Sequence, residues 1–108
     1  MANTFKMVSA DVGTSLATVY TAPSSTTSII LGFTIANVHA TTASWVTVAI
    51  YQSGGGSNSE MVHQLSIPIN DSFNPMDGKL VLETGDYIRL IAENASSLEL
   101  TLSYLEIT

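Results

Sequence analysis

Apolar and polar residues alternate with a period of two along most of this chain, most cleanly from Leu98 onward. There Leu98, Leu100, Leu102 and Tyr104 alternate with Glu99, Thr101 and Ser103, as in a strand with one face in a core and one in water. Beyond Tyr104 the parity breaks, because Leu105 and Ile107 occupy positions of the polar face. Two explanations are open. Either a bulge re-aims the chain there, or the last residues are covered on both sides, which points to a neighbouring subunit.

The same period predicts strands over 79–83 and 87–93, the second with Ile88, Leu90 and Ala92 on one face and Tyr87, Arg89, Ile91 and Glu93 on the other. Thr84-Gly85-Asp86 joins them as a tight turn in which Gly85 is free to take positive φ. Asn94-Ala95-Ser96-Ser97 forms the next polar turn. Earlier in the chain, 4–12 reads as a loose strand anchored by Phe5, Met7 and Val8, with a turn over 11–14. Residues 15–21 alternate Leu16, Thr18 and Tyr20 against Ala17, Val19 and Thr21, ending at Pro23.

Residues 27–38 are the most apolar strand, with Ile29, Leu31, Phe33 and Ile35 on one face and Ile30, Gly32, Thr34 and Ala36 on the other. Apolar character on both faces predicts a central position, and Gly32 is expected to let an aromatic side chain cross closely. Residues 44–52 place Val46, Val48 and Ile50 opposite Trp45, Thr47, Ala49 and Tyr51. A flexible exposed loop is expected over 53–59, then a strand over 60–69 in which Pro68 signals an end or an edge. The connector over 70–78 carries Phe73 and Met76 as inward plugs.

About eight strands with turns at this spacing predict one all-β domain over residues 1–108, an antiparallel β-sandwich with jelly-roll connectivity as a candidate topology; a small closed β-barrel is the alternative. No helical periodicity, internal repeat or linker competes with that reading.

Composition changes the picture in one respect. Of 108 residues, 45% are hydrophobic and only 11% charged, against about 25% charged in an average protein. So sparsely charged a chain suits a protein largely covered by other protein. The net charge of −6 comes with three strong bases, Lys6, Lys79 and Arg89, which disfavours nucleic acid and anionic membranes as partners. The absence of cysteine excludes disulfides and thiolate metal sites. No basic segment followed by an apolar run opens the chain, and no stretch approaches the roughly 20 residues of a membrane helix. The expectation is a soluble protein made in a cytoplasm.

Candidate chemistry is thin. His39 and His63 have no carboxylate or second histidine at ligand spacing. No serine sits in a nucleophile elbow, and Gly54–Gly56 lacks a phosphate-loop continuation. Asn70, Asp71, Asn74 and Asp77 could gather oxygens for calcium but are also ordinary turn residues. Glu83, Glu93, Glu99 and Glu106 are read as outward carboxylates on solvated strand faces. No enzyme, no cofactor and no metal is expected. The contact candidates are Trp45, Tyr51, Tyr87, Leu105 and Ile107. The three aromatics either fill the second side of covered strands or form a platform for sugar or protein, with Asp86 or Arg89 as polar partners.

Two segments carry a family resemblance. Val19-Tyr20-Thr21-Ala22-Pro23 leads into Gly32-Phe33-Thr34-Ile35-Ala36-Asn37. Later, Ile67-Pro68-Ile69, Phe73, Pro75 and Gly78-Lys79-Leu80 precede Leu82-Glu83-Thr84-Gly85-Asp86-Tyr87-Ile88 and Ser103-Tyr104-Leu105-Glu106. This text resembles small virion proteins of tailed bacteriophages. The resemblance implies a structural β-sandwich subunit present in many copies on the capsid, neck or tail, made in the host bacterial cytoplasm. Its partners would be further copies of itself and other virion proteins, and no catalytic residues are carried over.

Overall fold

The computed structural model describes residues 2–39, 41–76, 78–94 and 96–108. Nine strands follow in order: β1 (Asn3–Val12), β2 (Ala17–Thr21), β3 (Thr27–Asn37), β4 (Ser44–Gln52), β5 (Ser57–Ile67), β6 (Ser72–Phe73), β7 (Leu80–Leu82), β8 (Tyr87–Ala92) and β9 (Leu98–Ile107). They form two sheets. The first has the order β1-β9-β3-β6 with β7 also on β3, and the second has the order β2-β8-β4-β5. All pairings are antiparallel.

The first strand thus pairs with the last, the second with the last but one, the third with β6 and β7, and the fourth with the fifth. That nesting is the jelly roll. Two open sheets face each other, so the closed barrel is set aside. β3 lies inside its sheet, as its two-sided apolar character required. Phe33, Ile35, Leu100 and Leu102 from the first sheet meet Val46, Val48, Ile88 and Leu90 from the second, all almost fully buried. Burying each such side chain stabilises the fold by about 1.5–3 kcal/mol. Phe73 and Met76 pack against this core.

Simple parity fails at bulges in β2, β3 and β5, and two of the three expected anchors of β1 lie on its other face. At β2 the pairing with β8 shifts between Thr18 and Tyr20, so Val19 is an extra residue and both Val19 and Tyr20 reach the core. At β3 the pairing with β9 shifts between Ile30 and Gly32. Leu31 is therefore pushed outward, and the buried set is Ser28, Ile30, Phe33, Ile35 and Asn37, where strict alternation puts Ile29 and Leu31 with Phe33 and Ile35. No aromatic crosses Gly32; a Cβ there would meet only Ser103 at 3.8 Å. At β1, Val8 and Val12 face the core while Phe5 and Met7 face outward, so those two are not anchors.

The turns follow the sequence more closely. Gly85 takes φ 88°, and Asp86 inside the same turn is buried. Its Oδ1 accepts the Ser53 N–H at 3.1 Å and its Oδ2 the Glu83 N–H at 3.0 Å. The Asp86 carbonyl accepts the Ala22 N–H at 2.9 Å. Three loops are thereby tied at one end of the sandwich. The β4–β5 connection is tighter than a flexible loop, since Ser57, Asn58 and Ser59 already pair with Gln52, Tyr51 and Ile50. β1 likewise continues through the expected turn at 11–12, with Asp11 opposite Glu99 and Val12 opposite Leu98.

Candidate functional site

The outer face of the first sheet carries a line of apolar side chains, and strand register is what aligns it. Phe5 on β1 lies opposite Leu105 on β9, Leu105 opposite Ile29 on β3, and Ile29 opposite Val81 on β7. Strands about 4.8 Å apart make this a row roughly 14 Å long. Met7 lies beside it, and the β3 bulge adds Leu31. Phe5, Met7, Leu31 and Val81 are 73%, 63%, 39% and 57% exposed. Leu105 and Ile107 are half-buried on the same face. Phe5, Met7, Leu31 and Ser103 line a shallow groove along it. Contiguous exposed apolar side chains of this kind mark contact surfaces.

Beneath that row the inner face ends in a polar bracket. The pattern of β9 continues inward through Tyr104 to Glu106 without a bulge, so Glu106 is not an outward carboxylate. Its Oε2 accepts the Tyr20 hydroxyl at 2.7 Å, and its Oε1 lies 2.8 Å from the Lys6 ammonium. Tyr20 also shares a 2.6 Å hydrogen bond with Ser28, and its ring packs on Tyr104 with centroids 4.3 Å apart. The hydrogen bond from Lys6, then that from Tyr20, holds the Glu106 carboxyl below the usual carboxylate range. The same bond to Glu106 raises Lys6, and burial raises Tyr20. β1 is pinned to β9 and β2 by this cluster.

The contact residues expected from sequence divide between opposite faces of the molecule. Leu105 and Ile107 belong to the first sheet, whereas Trp45, Tyr51 and Tyr87 belong to the outer face of the second. Tyr51 pairs with Tyr87 across β4 and β8, and their rings stack with centroids 4.9 Å apart. The Arg89 guanidinium sits 5.4 Å from the Tyr87 centroid and 6.0 Å from that of Tyr51, and it donates to Asn58 Oδ1 at 2.8 Å. Trp45 stands half-buried at the other end of β4, its backbone bonded to Glu93. Six residue steps of strand separate it from Tyr51, roughly 20 Å. The three aromatics therefore form no single platform, and the Asp86 carboxylate is occupied by the N–H groups of Ser53 and Glu83.

The remaining candidates serve local structure. His39 Nδ1 accepts the N–H groups of Thr41 and Thr42, each at 3.2 Å. His63 does have a carboxylate neighbour, Glu60, at 2.9 Å. Asp71 Oδ1 accepts the Ser72 N–H and Asn74 Oδ1 the Met76 N–H, so this loop turns its oxygens on itself; Asp77, like Ala95 of the later turn, lies outside the described residues. Glu83, Glu93 and Glu99 are exposed. Among the described residues no group of three or more His, Cys, Asp or Glu could hold a metal, and no helix is long and apolar enough to cross a membrane.

Sequence reading missed Phe5, Met7 and Leu31 as surface residues, and it placed Val81 on the face of Lys79 and Glu83 without singling it out as a contact residue. A signal for Val81 was present, a valine between Lys79 and Glu83 on an otherwise polar face. For β1 the signal was the run Val8, Ala10, Val12, which puts Phe5 and Met7 on the other side.

No protein-family model matches the chain, and neither does any curated protein. Among solved structures it is similar to a chain from Bacillus endospore appendages, which form a novel family of disulfide-linked pili. The TM-score is 0.58 and the identity 13%, over 99% of this chain and 87% of that chain. The likeness extends over the whole jelly roll, and at this identity it is a likeness of fold.

Proposed function

We propose that this chain is a non-enzymatic structural subunit that works by assembly, present in many copies on the particle of a tailed bacteriophage as a capsid decoration, a neck or tail adaptor, or the mounting domain of a fibre. The observation that carries the reading is the apolar row Phe5–Leu105–Ile29–Val81, aligned across four strands and facing out. A row built by register is a surface, not a scatter of exposed side chains. The fold it shares with a subunit of pili supports assembly in general, and the sequence resemblance to virion proteins supports the phage particle in particular. Lacking cysteine, these 108 residues would assemble without disulfide links, unlike the pili of that neighbour.

Purified protein added to phage particles that lack it is expected to bind in many copies. Val81→Glu, which places a charge in the row at a solvent-exposed site, is expected to abolish binding while leaving the melting temperature unchanged. Full binding by Val81→Glu would remove the row from the interface. Failure of the wild type to bind any particle, together with binding on a glycan array, would replace the reading with a carbohydrate-binding one.

A further inference from the structure

The sandwich has four sheet edges, and three of them are blunted. β2 is short and carries the bulge at Val19. β5 is long, but its pairing with β4 shifts twice and Gln64 takes φ 51°. β6 and β7 have two and three residues. Short strands and bulges keep edges from pairing with other chains. β1 has neither protection: Asn3 through Val12 pair with Ile107 through Leu98 in one unbroken register.

Backbone geometry decides which groups of β1 are unpaired. Ala2 and Thr108 exchange both N–H···O bonds, at 3.1 and 2.9 Å, and so form a hydrogen-bonded pair. An antiparallel ladder alternates such pairs with non-bonded ones. Thr4, Lys6, Val8, Ala10 and Val12 therefore bond to β9, while Asn3, Phe5, Met7, Ser9 and Asp11 turn their N–H and C=O groups to the free edge. The same five residues carry their side chains on the outer face.

We propose that this edge pairs antiparallel with β1 of a second copy about a two-fold axis at Met7, joining the first sheets of two copies into one. The inference rests on the assembly reading for its occupant, and the strand itself favours that occupant. With Met7 opposite the second copy's Met7, Phe5 faces the second copy's Ser9 and Asn3 faces its Asp11. All five edge residues are then used, in about ten hydrogen bonds. Moving the axis to Lys6 sets two lysines opposite each other and leaves Asp11 unpaired. Charge favours a like copy at this strand too, because Lys6 and Asp11 cancel and the whole net charge of −6 lies elsewhere. Finally, Phe5 reaches the second copy's Met7 on the diagonal, so the apolar row continues across the axis.

The absence of cysteine makes register directly readable. Paired residues at Met7 would have Cα atoms about 5.5 Å apart, inside disulfide range. Met7→Cys is expected to give a disulfide dimer with oxidised glutathione at dilute protein. Phe5→Cys and Ser9→Cys are expected to stay unlinked alone and to link when mixed. Met7→Pro removes only a free-edge donor, so it is expected to abolish the dimer in sedimentation while shifting the melting temperature by less than about 5 °C. Val8→Pro, which removes a bond to β9, is expected to lower it strongly.

Equal linking at all three positions, no linking at Met7→Cys, or an unchanged dimer in Met7→Pro overturns the proposal. If Met7→Cys fails to link while particles are still bound, edge pairing falls and the assembly reading stands. If it links and particles are ignored, the particle reading falls alone.

Discussion

At the scale of single residues, two carboxylates that look like surface charge are structural, for different reasons. Asp86 is buried and accepts two backbone N–H groups from separate loops. Removing it leaves the Ser53 and Glu83 donors without their charged acceptor, and bonds to charged groups contribute about 1.5–3 kcal/mol each. Asp86→Ala is therefore expected to destabilise by roughly 2–4 kcal/mol in urea denaturation; a loss below about 1 kcal/mol would mean that the loops hold without it. Glu106 acts through its protonation state. Its pKa is lowered by Lys6 and Tyr20, so its contribution is present above the unfolded value of about 4.3 and is lost as pH falls through the lowered one. Lys6 and Tyr20 are raised. Their contribution is complete below about pH 10 and fades as pH rises through the raised values. Glu106→Gln should accordingly melt lower than wild type at pH 7, with the gap closing toward pH 3. A gap constant from pH 7 to pH 3 would show that charge at this position does not matter.

At the scale of elements, the deciding variable is register, which a single strand does not carry. Leu31 is the clearest case. Deleting it leaves Ser28, Ile30, Phe33 and Ile35 inward with strict alternation between them, because Gly32 then follows Ile30 directly. We expect the Leu31 deletion to fold with a loss of less than about 1 kcal/mol, whereas deleting Thr34 inverts every side chain beyond it and should prevent folding. A Leu31 deletion as damaging as that of Thr34 would show that the bulge shapes the sheet. The same argument separates what was legible in sequence from what was not. Alternation located β3, β4, β8 and β9 to within a residue or two because each buries a full face. It could not show β6, two residues that exist by pairing with Ile35 and Ala36. The bulges at Val19 and Leu31 depend on what β8 and β9 present opposite them. The candidate surface was half legible. Leu105 and Ile107 broke the parity of β9 visibly, but the row they join is assembled from β1, β3 and β7, and no local pattern aligns residues 5, 29, 81 and 105.

At the scale of the molecule, the two outer faces differ in kind. One bears an apolar row and a free edge; on the other, Tyr51 and Tyr87 stack on each other and Arg89 is held to Asn58. Two copies that meet through the first face bring together two bodies of net charge −6. Their long-range interaction is repulsive, while the contact between them is apolar and backbone-bonded. Salt shortens the reach of that repulsion from about 30 Å at 0.01 M to about 3 Å at 1 M, and it leaves apolar contact intact. Association should therefore strengthen with ionic strength, the dissociation constant falling several-fold between 0.02 M and 0.5 M sodium chloride in sedimentation equilibrium. Contact built on the few opposite charges of this chain would weaken over the same range. Lys6 cannot lead such contact, because its ammonium is already bound to Glu106. A dissociation constant that rises with salt would place the contact on Lys79 or Arg89 and move it off the apolar row.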